Sequence, residues 1–328
     1  SSIEALDDRT VVITFNQPAP RFAFEVLTLK FDTGIPIVPT HVLEPMDDPS
    51  AFAGGLDMPH SGPYTTVYWD ETQKILDLRE DWWAVEASLI DVPEVKRIVN
   101  IDVGGHVSYS IESIAQKVAD NEFDTTFDLP PKIMADILAQ NPEVTSHTEK
   151  QPPYGYMDYW PNSLIVNTQL TPYDDPRVRR AISLAIDRDT IDQVVYQGAQ
   201  VSTIFPFPLY PGLLTFVDRP DMQALIEKYQ PRKFDIEESA ALMRAAGFAL
   251  NQDGFWEKDD TTLDCTIHGF QDIHSDILPV IDEMLVQAGF NAAINFGAGA
   301  FNGLSEGAPG LYMFGHIGSV IDPYETLH

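Results

Sequence analysis

A change in hydrophobic periodicity near residues 102–105 most constrains how this chain can fold. Before it, short apolar runs rich in β-branched residues are separated by Pro, Gly and Asp, as in residues 10–15, 64–68 and 74–78. Such runs favour β-strands. After it, apolar residues recur at helical spacing between short buried-strand candidates. The sequence therefore predicts a β-rich segment followed by an α/β domain.

In the second part, helix and strand signals alternate along the chain. Asp175 stands at a predicted N-cap and Pro176 in the first turn of the helix that follows. Gly297–Gly303 is rich in glycine, which predicts a loop. The further helices are predicted over Ser110–Asp120, from Pro131, over Ile236–Ala246 and over Asp276–Ala288. The strands are predicted over Asn162–Asn167, Leu263–His268, Asn291–Asn295 and Leu311–Phe314.

The net charge excludes one class of partner. The chain has 20 Lys and Arg against 50 Asp and Glu, giving a formal charge of -30. Such a surface repels phosphate backbones, so nucleic acid is not an expected partner. The same charge favours a monomer in solution. Cys265 is the sole cysteine, so no internal disulfide forms.

Motifs for catalysis are lacking in the sequence. There is no Gly-x-Ser-x-Gly and no phosphate-binding glycine pattern. The histidines are scattered without metal-ligand spacing, so neither a metal nor a cofactor is expected. Cys265 and His268 face opposite sides of a predicted strand, and Cys265 is interpreted as a small core residue. Pairs of acidic residues follow from the composition, and an acidic hydrolase stays a minor alternative.

An aromatic cluster precedes the strand predicted at residue 162. It consists of Tyr154, Tyr156, Tyr159 and Trp160. Aromatic side chains commonly line small-molecule sites. A packed domain edge is the competing interpretation of the same cluster.

The stretch Asn167–Ile191 carries the most specific motif. A predicted strand ends at Asn167, and a short loop leads into a helix that contains Val-Arg-Arg-Ala-Ile and Ala-Ile-Asp-Arg. This stretch closely resembles the signature region of the family 5 extracellular solute-binding proteins, the dipeptide-, oligopeptide- and nickel-binding type. Further family landmarks follow in order: Asp8-Arg9-Thr10-Val11, Ile37-Val38-Pro39-Thr40-His41, Ser61-Gly62-Pro63-Tyr64, Leu78 to Trp83, Ala240 to Phe248 and Asp322-Pro323.

The resemblance implies an α/β fold of the periplasmic-binding-protein type (type II, large three-domain subclass), present in part. Residues 1–102 would be the second, β-rich segment of domain I, and residues 103–328 the α/β lobe, domain III. The resemblance also implies a fragment that lacks the N-terminal part and the C-terminal end of the family's full length.

The function implied by the resemblance is solute capture for an ABC importer. Two lobes close around the solute, and the closed form docks on the transmembrane permease subunits, so no enzyme activity is needed. The location that the resemblance implies is periplasmic, or extracellular as a membrane-anchored lipoprotein. Use of the same fold for sensing or chaperoning is the alternative.

The residues expected to contact the solute come from the late segment Gly315–Asp322 and from the aromatic cluster. The resemblance places a ligand-pairing Asp at the position of Ser319 and a Trp at that of His316. A neutral hydroxyl cannot pair with an α-amino group as a carboxylate does. The solute is therefore left open as a peptide, a sugar, an opine-like conjugate or a metal chelate. The full set of expected contacts is His316, Ser319, Asp322, Tyr154, Tyr156 and Tyr159.

Overall fold

The computed structural model describes most of the chain. The described residues are 1–27, 38–49, 56, 59–102, 111–126, 129–152, 154, 161–200, 202–205, 207, 211–297 and 299–315. The chain forms two compact units, Ser1–Val103 and Gly104–His328. Within the described ranges, every helix is too short or too polar to cross a membrane.

Unit 1 is built mainly from antiparallel strands, as the sequence predicted. Its first two strands form a hairpin, and the other three form a sheet in the order β3-β4-β5. The strands are β1 (Ser2–Asp7), β2 (Thr10–Thr14), β3 (Tyr64–Trp69), β4 (Gln73–Leu78) and β5 (Arg97–Ile101). The helices are α1 (Phe22–Val26), α2 (Thr40–Leu43) and α3 (Trp83–Glu86).

An aspartate fixes the turn between β3 and β4. Asp70 Oδ1 accepts hydrogen bonds from the backbone N–H of Thr72 at 2.8 Å and of Gln73 at 2.9 Å. Asp and Asn favour such turns because the side chain can hydrogen-bond the backbone two residues on. The register then places Asp77 opposite Arg97, and the two form a bidentate ion pair at 2.6 and 2.7 Å.

Two of the family landmarks in unit 1 contact each other. The indole N–H groups of Trp82 and Trp83 both donate to the carbonyl of Ser61, at 2.9 and 3.0 Å. The Arg79 backbone N–H donates to the Pro63 carbonyl at 2.8 Å. The two motifs therefore form one local structure. Trp83 is 53% exposed within the described residues and is not a core residue of this unit.

Unit 2 is an α/β unit with a four-stranded sheet and a small three-stranded one. The strands are β6 (Ser163–Ile165), β7 (Ala249–Leu250), β8 (Trp256–Lys258), β9 (Thr261–Thr262), β10 (Asp264–Gly269), β11 (Asn291–Phe296) and β12 (Leu311–Phe314). The helices are α4 (Ile111–Ala119), α5 (Pro131–Gln140), α6 (Pro176–Leu184), α7 (Arg188–Val195), α8 (Pro211–Val217), α9 (Pro220–Tyr229), α10 (Ile236–Ala245), α11 (Gln271–His274), α12 (Leu278–Gln287) and α13 (Gly299–Glu306).

The main sheet of unit 2 has the strand order β11-β10-β12-β6. β10 is parallel to both β11 and β12, whereas β6 runs antiparallel to β12. Parallel neighbours need crossover connections, and α12 and α13 provide them. β10 thus leads to β11 on one side and lies beside β12 on the other.

One face of this sheet carries the hydrophobic core. Cys265 and Ile267 of β10 are fully buried, and Leu311 and Met313 of β12 belong to the same cluster. The cluster also includes side chains of α6, α10 and α12. Because side chains alternate along a strand, His268 and Tyr312 lie on the opposite face.

Helices α6 and α10 pack closely because small residues meet between them. Ala181 is fully buried, and the hydroxyl of the buried Ser239 donates to the Ala181 carbonyl at 2.8 Å. α10 ends in a Schellman motif: the N–H of Gly247 donates to Arg244 O and that of Phe248 to Met243 O, both at 3.0 Å. Gly247 has φ +92°, so the predicted stop at this glycine is confirmed.

The structure corrects three details of the sequence prediction. The helix that begins at Pro176 is shorter than its apolar stripe predicts. The stripe runs through Val178, Ala181, Ile182, Ala185 and Ile186, but α6 ends at Leu184, and α7 begins after a second N-cap, Asp187. Three further helices, α8, α9 and α11, were not predicted. The loop predicted over Gly297–Gly303 is wrong, because α13 begins at Gly299. Gly303 allows that helix to approach the sheet, since a Cβ there would lie 2.6 Å from Tyr312 Oη.

Asp175 is the N-cap of α6, as predicted, and its loss is expected to destabilise the fold. Its carboxylate accepts from the Arg177 N–H at 2.8 Å and pairs with the Arg177 guanidinium at 2.6 Å. This pairing lowers the Asp175 pKa from 3.8 to about 2. Asp175→Ala should lower the free energy of unfolding by about 1 kcal/mol near neutral pH. Urea unfolding measures the difference.

The pH dependence of this cap follows from the sign of the shift. The folded pKa is below the unfolded value, so the carboxylate stabilises the fold fully above about pH 4, and the contribution is lost as pH falls towards about 2. Asp175→Asn keeps a good N-cap without the titrating charge and is the control. A deficit of Asp175→Ala that stays constant down to about pH 2.5 would contradict the assignment.

Candidate functional site

The carboxyl ends of the parallel strands of unit 2 form the candidate site. β10 ends at Gly269, β11 at Phe296 and β12 at Phe314. The connection that leaves β10 leads to β11, on the side away from β12, and the connection that enters β12 comes from β11 across β10. The gap between the neighbouring strands β10 and β12 is therefore a topological switch point. Ligands of open α/β sheets bind in the crevice outside the carboxyl ends at such a point. We call this place the carboxyl edge.

Two phenylalanines stand on either side of the switch point. Phe270 follows β10 and Phe314 ends β12, and their ring centroids are 6.0 Å apart with a 51° tilt. Both side chains are half-buried. The pair offers an apolar surface of the kind that lines small-molecule sites.

His274 holds one of these rings in place. It is 2% exposed, and its Nδ1 accepts a hydrogen bond from the Phe270 backbone N–H at 3.1 Å. The two rings are tilted by 42° with centroids 5.9 Å apart. Because Nδ1 accepts, the neutral ring carries its proton on Nε2. His274 is therefore a positioning residue at the edge.

Glycine at the end of β10 lets helix α12 approach the strand. A Cβ on Gly269 would lie 2.6 Å from Leu278 Cδ1 and 3.1 Å from His274 Nδ1. The Gly269 carbonyl accepts from the Gly297 N–H at 3.4 Å, which joins the ends of β10 and β11.

The antiparallel strand β6 brings its amino end to the same edge, since Ser163 pairs with Phe314. Asn162, next to it, is exposed and hydrogen-bonds with Tyr196. Burial raises the pKa of Tyr196, and the nearby Asp276 carboxylate adds to the shift, whereas the hydrogen bond with Asn162 opposes it. Asn162 and Tyr196 thus provide polar groups at the edge, next to the amino end of β6.

A row of three polar side chains crosses the sheet behind the edge, on the face opposite the core. His268 stacks on Tyr312 with centroids 4.7 Å apart and 12° between the ring planes. The amide nitrogen of Asn295 lies 3.3 Å from His268 Nδ1. Tyr312 of this row lies against helix α13 at Gly303.

Five of the six expected contact residues lie outside the described residues. These are Tyr156, Tyr159, His316, Ser319 and Asp322. His316 follows Gly315, the last described residue, which itself follows β12 at the carboxyl edge. Tyr154 is half-buried with φ 62°, and its N–H donates to Gln151 O at 3.1 Å. The contacts described for Tyr154 are local to this turn, and its role at the site stays a prediction.

The interpretation of Cys265 as a core residue is confirmed. The thiol is fully buried and free, and burial raises its pKa to about 12. A thiolate nucleophile requires a lowered pKa and exposure, so this cysteine is structural.

The sequence did not single out Phe270, His274 or Phe314. The available signal was position: Phe314 is the last residue of one predicted buried strand, and Phe270 closely follows another. The carboxyl ends of parallel strands in α/β units are where sites form, but the strand order that makes them neighbours was not evident from the sequence.

Comparison with known proteins identifies the family. The model of the bacterial extracellular solute-binding proteins, family 5 middle, matches residues 1–328. The dipeptide-binding protein of Escherichia coli is 33% identical over 93 residues, covering 28% of this chain and 14% of that protein. The periplasmic oligopeptide-binding protein OppA of Salmonella typhimurium is 24% identical over 257 residues, covering 76% of this chain and 41% of that protein.

Solved structures of the same type share the fold. The periplasmic oligopeptide-binding protein of a Thermotoga maritima oligopeptide ABC transporter has a TM-score of 0.79 at 24% identity, over 97% of this chain and 57% of that one. Its mannohexaose-bound form has a TM-score of 0.76 at 23% identity, over 99% of this chain and 58% of that one. NikZ of Campylobacter jejuni, in complex with Ni(L-His), has a TM-score of 0.68 at 18% identity, over 98% and 57%.

These similarities confirm the expected fold. The chain spans 57–58% of the length of these three solved structures and at most 41% of the curated relatives above. The family consists of solute-binding proteins rather than enzymes. With a family model matched along its whole length, the chain belongs to the family 5 bacterial extracellular solute-binding proteins.

Proposed function

We propose that this chain is part of the substrate-binding component of an ABC importer, and that it captures a peptide or similar small solute at the carboxyl edge of unit 2. The aromatic pair at the switch point, Phe270 and Phe314, carries this proposal. Relatives of this chain include a dipeptide-binding protein and an oligopeptide-binding protein.

The mechanism is capture without covalent chemistry. The solute binds against the carboxyl edge, and a second protein surface closes over it. Closure is a population shift that depends on contacts made only in the closed state. We assign residues 1–102 to the second segment of domain I and residues 103–328 to domain III of the family fold.

Two observations bear on the chemical class of the solute. The neutral Ser319 stands where the family resemblance places a ligand-pairing Asp, which disfavours recognition of a free α-amino group. The mannohexaose-bound relative shows that proteins of this fold also hold an oligosaccharide. We therefore propose oligosaccharides beside peptides as candidate solutes, with opine-like conjugates and metal chelates as further classes.

The partners and location follow the relatives. We propose that the protein acts as a monomer in the periplasm, or outside the cell as an anchored lipoprotein. It would deliver the solute to the transmembrane subunits of an ABC permease. Residues His316, Ser319, Asp322, Tyr154, Tyr156 and Tyr159 are proposed as further solute contacts.

Replacing Phe314 by Ala is expected to weaken solute binding by about tenfold or more. Truncating a buried aromatic anchor in a binding site costs about 2 kcal/mol, and 1.4 kcal/mol is tenfold in affinity. The measurement is the amount of co-purified solute that stays bound during dialysis, followed by native mass spectrometry of the protein at its full natural length.

Phe234→Ala is the matched control for this variant. Phe234 is 47% exposed and precedes α10, a helix from which no residue is assigned to the carboxyl edge. It should keep the solute as the wild type does. Equal retention by Phe314→Ala and the wild type, with both folded by circular dichroism, would overturn the placement of the site.

A further inference from the structure

The positively charged residues are distributed unevenly along the whole chain. Every Lys and Arg lies between Arg9 and Lys258, whereas residues 259–328 contain ten Asp and Glu and neither Lys nor Arg. This segment without cations supplies β10, β11 and β12. The three parallel strand ends that form the carboxyl edge are therefore built without a single ammonium or guanidinium group.

Two arginines of α6 lie at the opposite end of the sheet. The Tyr173 hydroxyl donates to the carbonyl of Asp264, the first residue of β10, at 2.9 Å. Arg179 donates to the Tyr173 carbonyl at 2.7 Å, and Arg177 is paired with its N-cap carboxylate at 2.6 Å. A six-residue strand is about 17–20 Å long. That exceeds the Debye length of about 8 Å at physiological salt, so these cations do not stabilise an anion at the carboxyl edge.

The described groups that form the edge include neither Lys nor Arg, and the Asp276 carboxylate near Tyr196 adds negative charge there. Phe270 and Phe314 are apolar, His274 uses Nδ1 as an acceptor, and Asn162 and Asn295 are uncharged amides. None of them can form an ion pair with a carboxylate or phosphate.

Helix α12 begins beside Gly269, and its amino end favours an anion at the described edge. The amino end of α13 does so too. It follows Gly297, and the Ala300 N–H is already donated to the Gly297 carbonyl at 3.1 Å. A helix N-terminus contributes about 0.3–1 kcal/mol towards a negative charge. Removing a carboxylate from water without a counter-charge costs several kcal/mol. The balance is therefore against an anion.

We infer that the solute carries no anionic group where it meets the carboxyl edge. The inference rests on the proposed function and adds the chemical class of the ligand. The site takes uncharged or cationic solutes, such as neutral oligosaccharides or peptides without a carboxylate at this contact. It disfavours their carboxylate- and phosphate-bearing counterparts.

The test is a competition between ligand pairs that differ in one charge. The solute-free protein is offered an equimolar pool of oligopeptides with a free C-terminal carboxylate and the same peptides as C-terminal amides. The pool also contains mannohexaose and an oligouronate of matched length. Native mass spectrometry identifies what is captured. The uncharged member of each captured pair is expected to bind at least about tenfold more tightly than its anionic partner.

A charge-introducing variant localises the effect. Asn295→Lys places an ammonium near the carboxyl end of β11, where Asn295 is exposed. It should shift the preference towards the anionic member of a pair by about fivefold or more. Asn291→Lys is the matched control: Asn291 begins the same strand and, four residues away, faces the same side of the sheet. It should leave the preference unchanged.

The outcomes separate the inference from the proposed function. Capture of anionic members as tightly as their neutral partners overturns the inference and leaves the solute-binding function standing. An equal shift in Asn295→Lys and Asn291→Lys also overturns it, because the effect would then be one of net charge. Capture of nothing from the pool, together with no co-purified solute on the protein, overturns the proposed function, and the inference with it.

Discussion

Leu285→Ala is expected to lower the free energy of unfolding of unit 2 by about 2–5 kcal/mol. Leu285 is fully buried in the third-last position of α12, where it belongs to the core cluster between this helix and the sheet. Its removal loses the transfer free energy of the side chain and leaves a cavity that close-packed neighbours fill only in part. Urea unfolding measures the change.

Val286→Ala is the matched control on the same helix. Val286 is the next residue and is 40% exposed. Alanine also has the higher helix propensity, so the two effects on Val286 offset each other to within about 0.5 kcal/mol. A loss for Leu285→Ala no larger than that for Val286→Ala would contradict the packing of α12 on the sheet.

Gly289→Ala is expected to cost about 2–4 kcal/mol in the free energy of unfolding, from two sources. Gly289 has φ +85°, in the left-handed region, and completes a Schellman motif after α12. A Cβ would also lie 2.9 Å from Leu250 Cδ2 and 3.2 Å from both the Gly254 carbonyl and Trp256 Nε1. Trp256 is itself buried and bonded to this turn, so the neighbours have little room to move.

Gly254→Ala separates the two sources. Gly254 has nearly the same φ, +86°, but a Cβ there would meet no atom within 4 Å. It should therefore show the backbone cost alone, about 1–2 kcal/mol. If the two variants lose the same amount of stability by urea unfolding, the close packing around Gly289 is not as the structure has it.

The elements of unit 2 were predictable where local signals were strong. Asp175 and Pro176 mark the start of α6 because capping and proline geometry act within one turn. Leu311–Phe314 was predicted as a strand with its observed bounds. The break at Asp187 was missed because the apolar spacing of Ala185 and Ile186 continues that of α6, although both lie outside a helix.

The glycine-rich segment after β11 shows where tertiary structure overrides propensity. Gly297–Gly303 reads as a loop because glycine weakens a helix by about 1 kcal/mol relative to alanine. The connection from β11 to β12 must cross over β10, and a helix does this in a parallel arrangement. The absence of a side chain on Gly303 then becomes necessary, since Tyr312 occupies that space.

The candidate site could be predicted only in part. Sequence reasoning pointed to the segment that begins at Gly315, which the structure places after β12 at the carboxyl edge. It did not find Phe270, because this residue meets Phe314 through strand order rather than through sequence spacing. It also did not find His274, whose described partner is Phe270. Two residues 44 positions apart, such as Phe270 and Phe314, become neighbours only when β10 pairs with β12.

Hydrogen–deuterium exchange of the protein at its full natural length tests the central claim most directly. Exchange is compared with the co-purified solute bound and after its removal. Slower exchange with solute bound at Phe270, Gly297 and Gly315 is predicted, because these backbone groups lie at the carboxyl edge. Unchanged exchange at all three, with protection confined to other parts of the chain, would contradict the account.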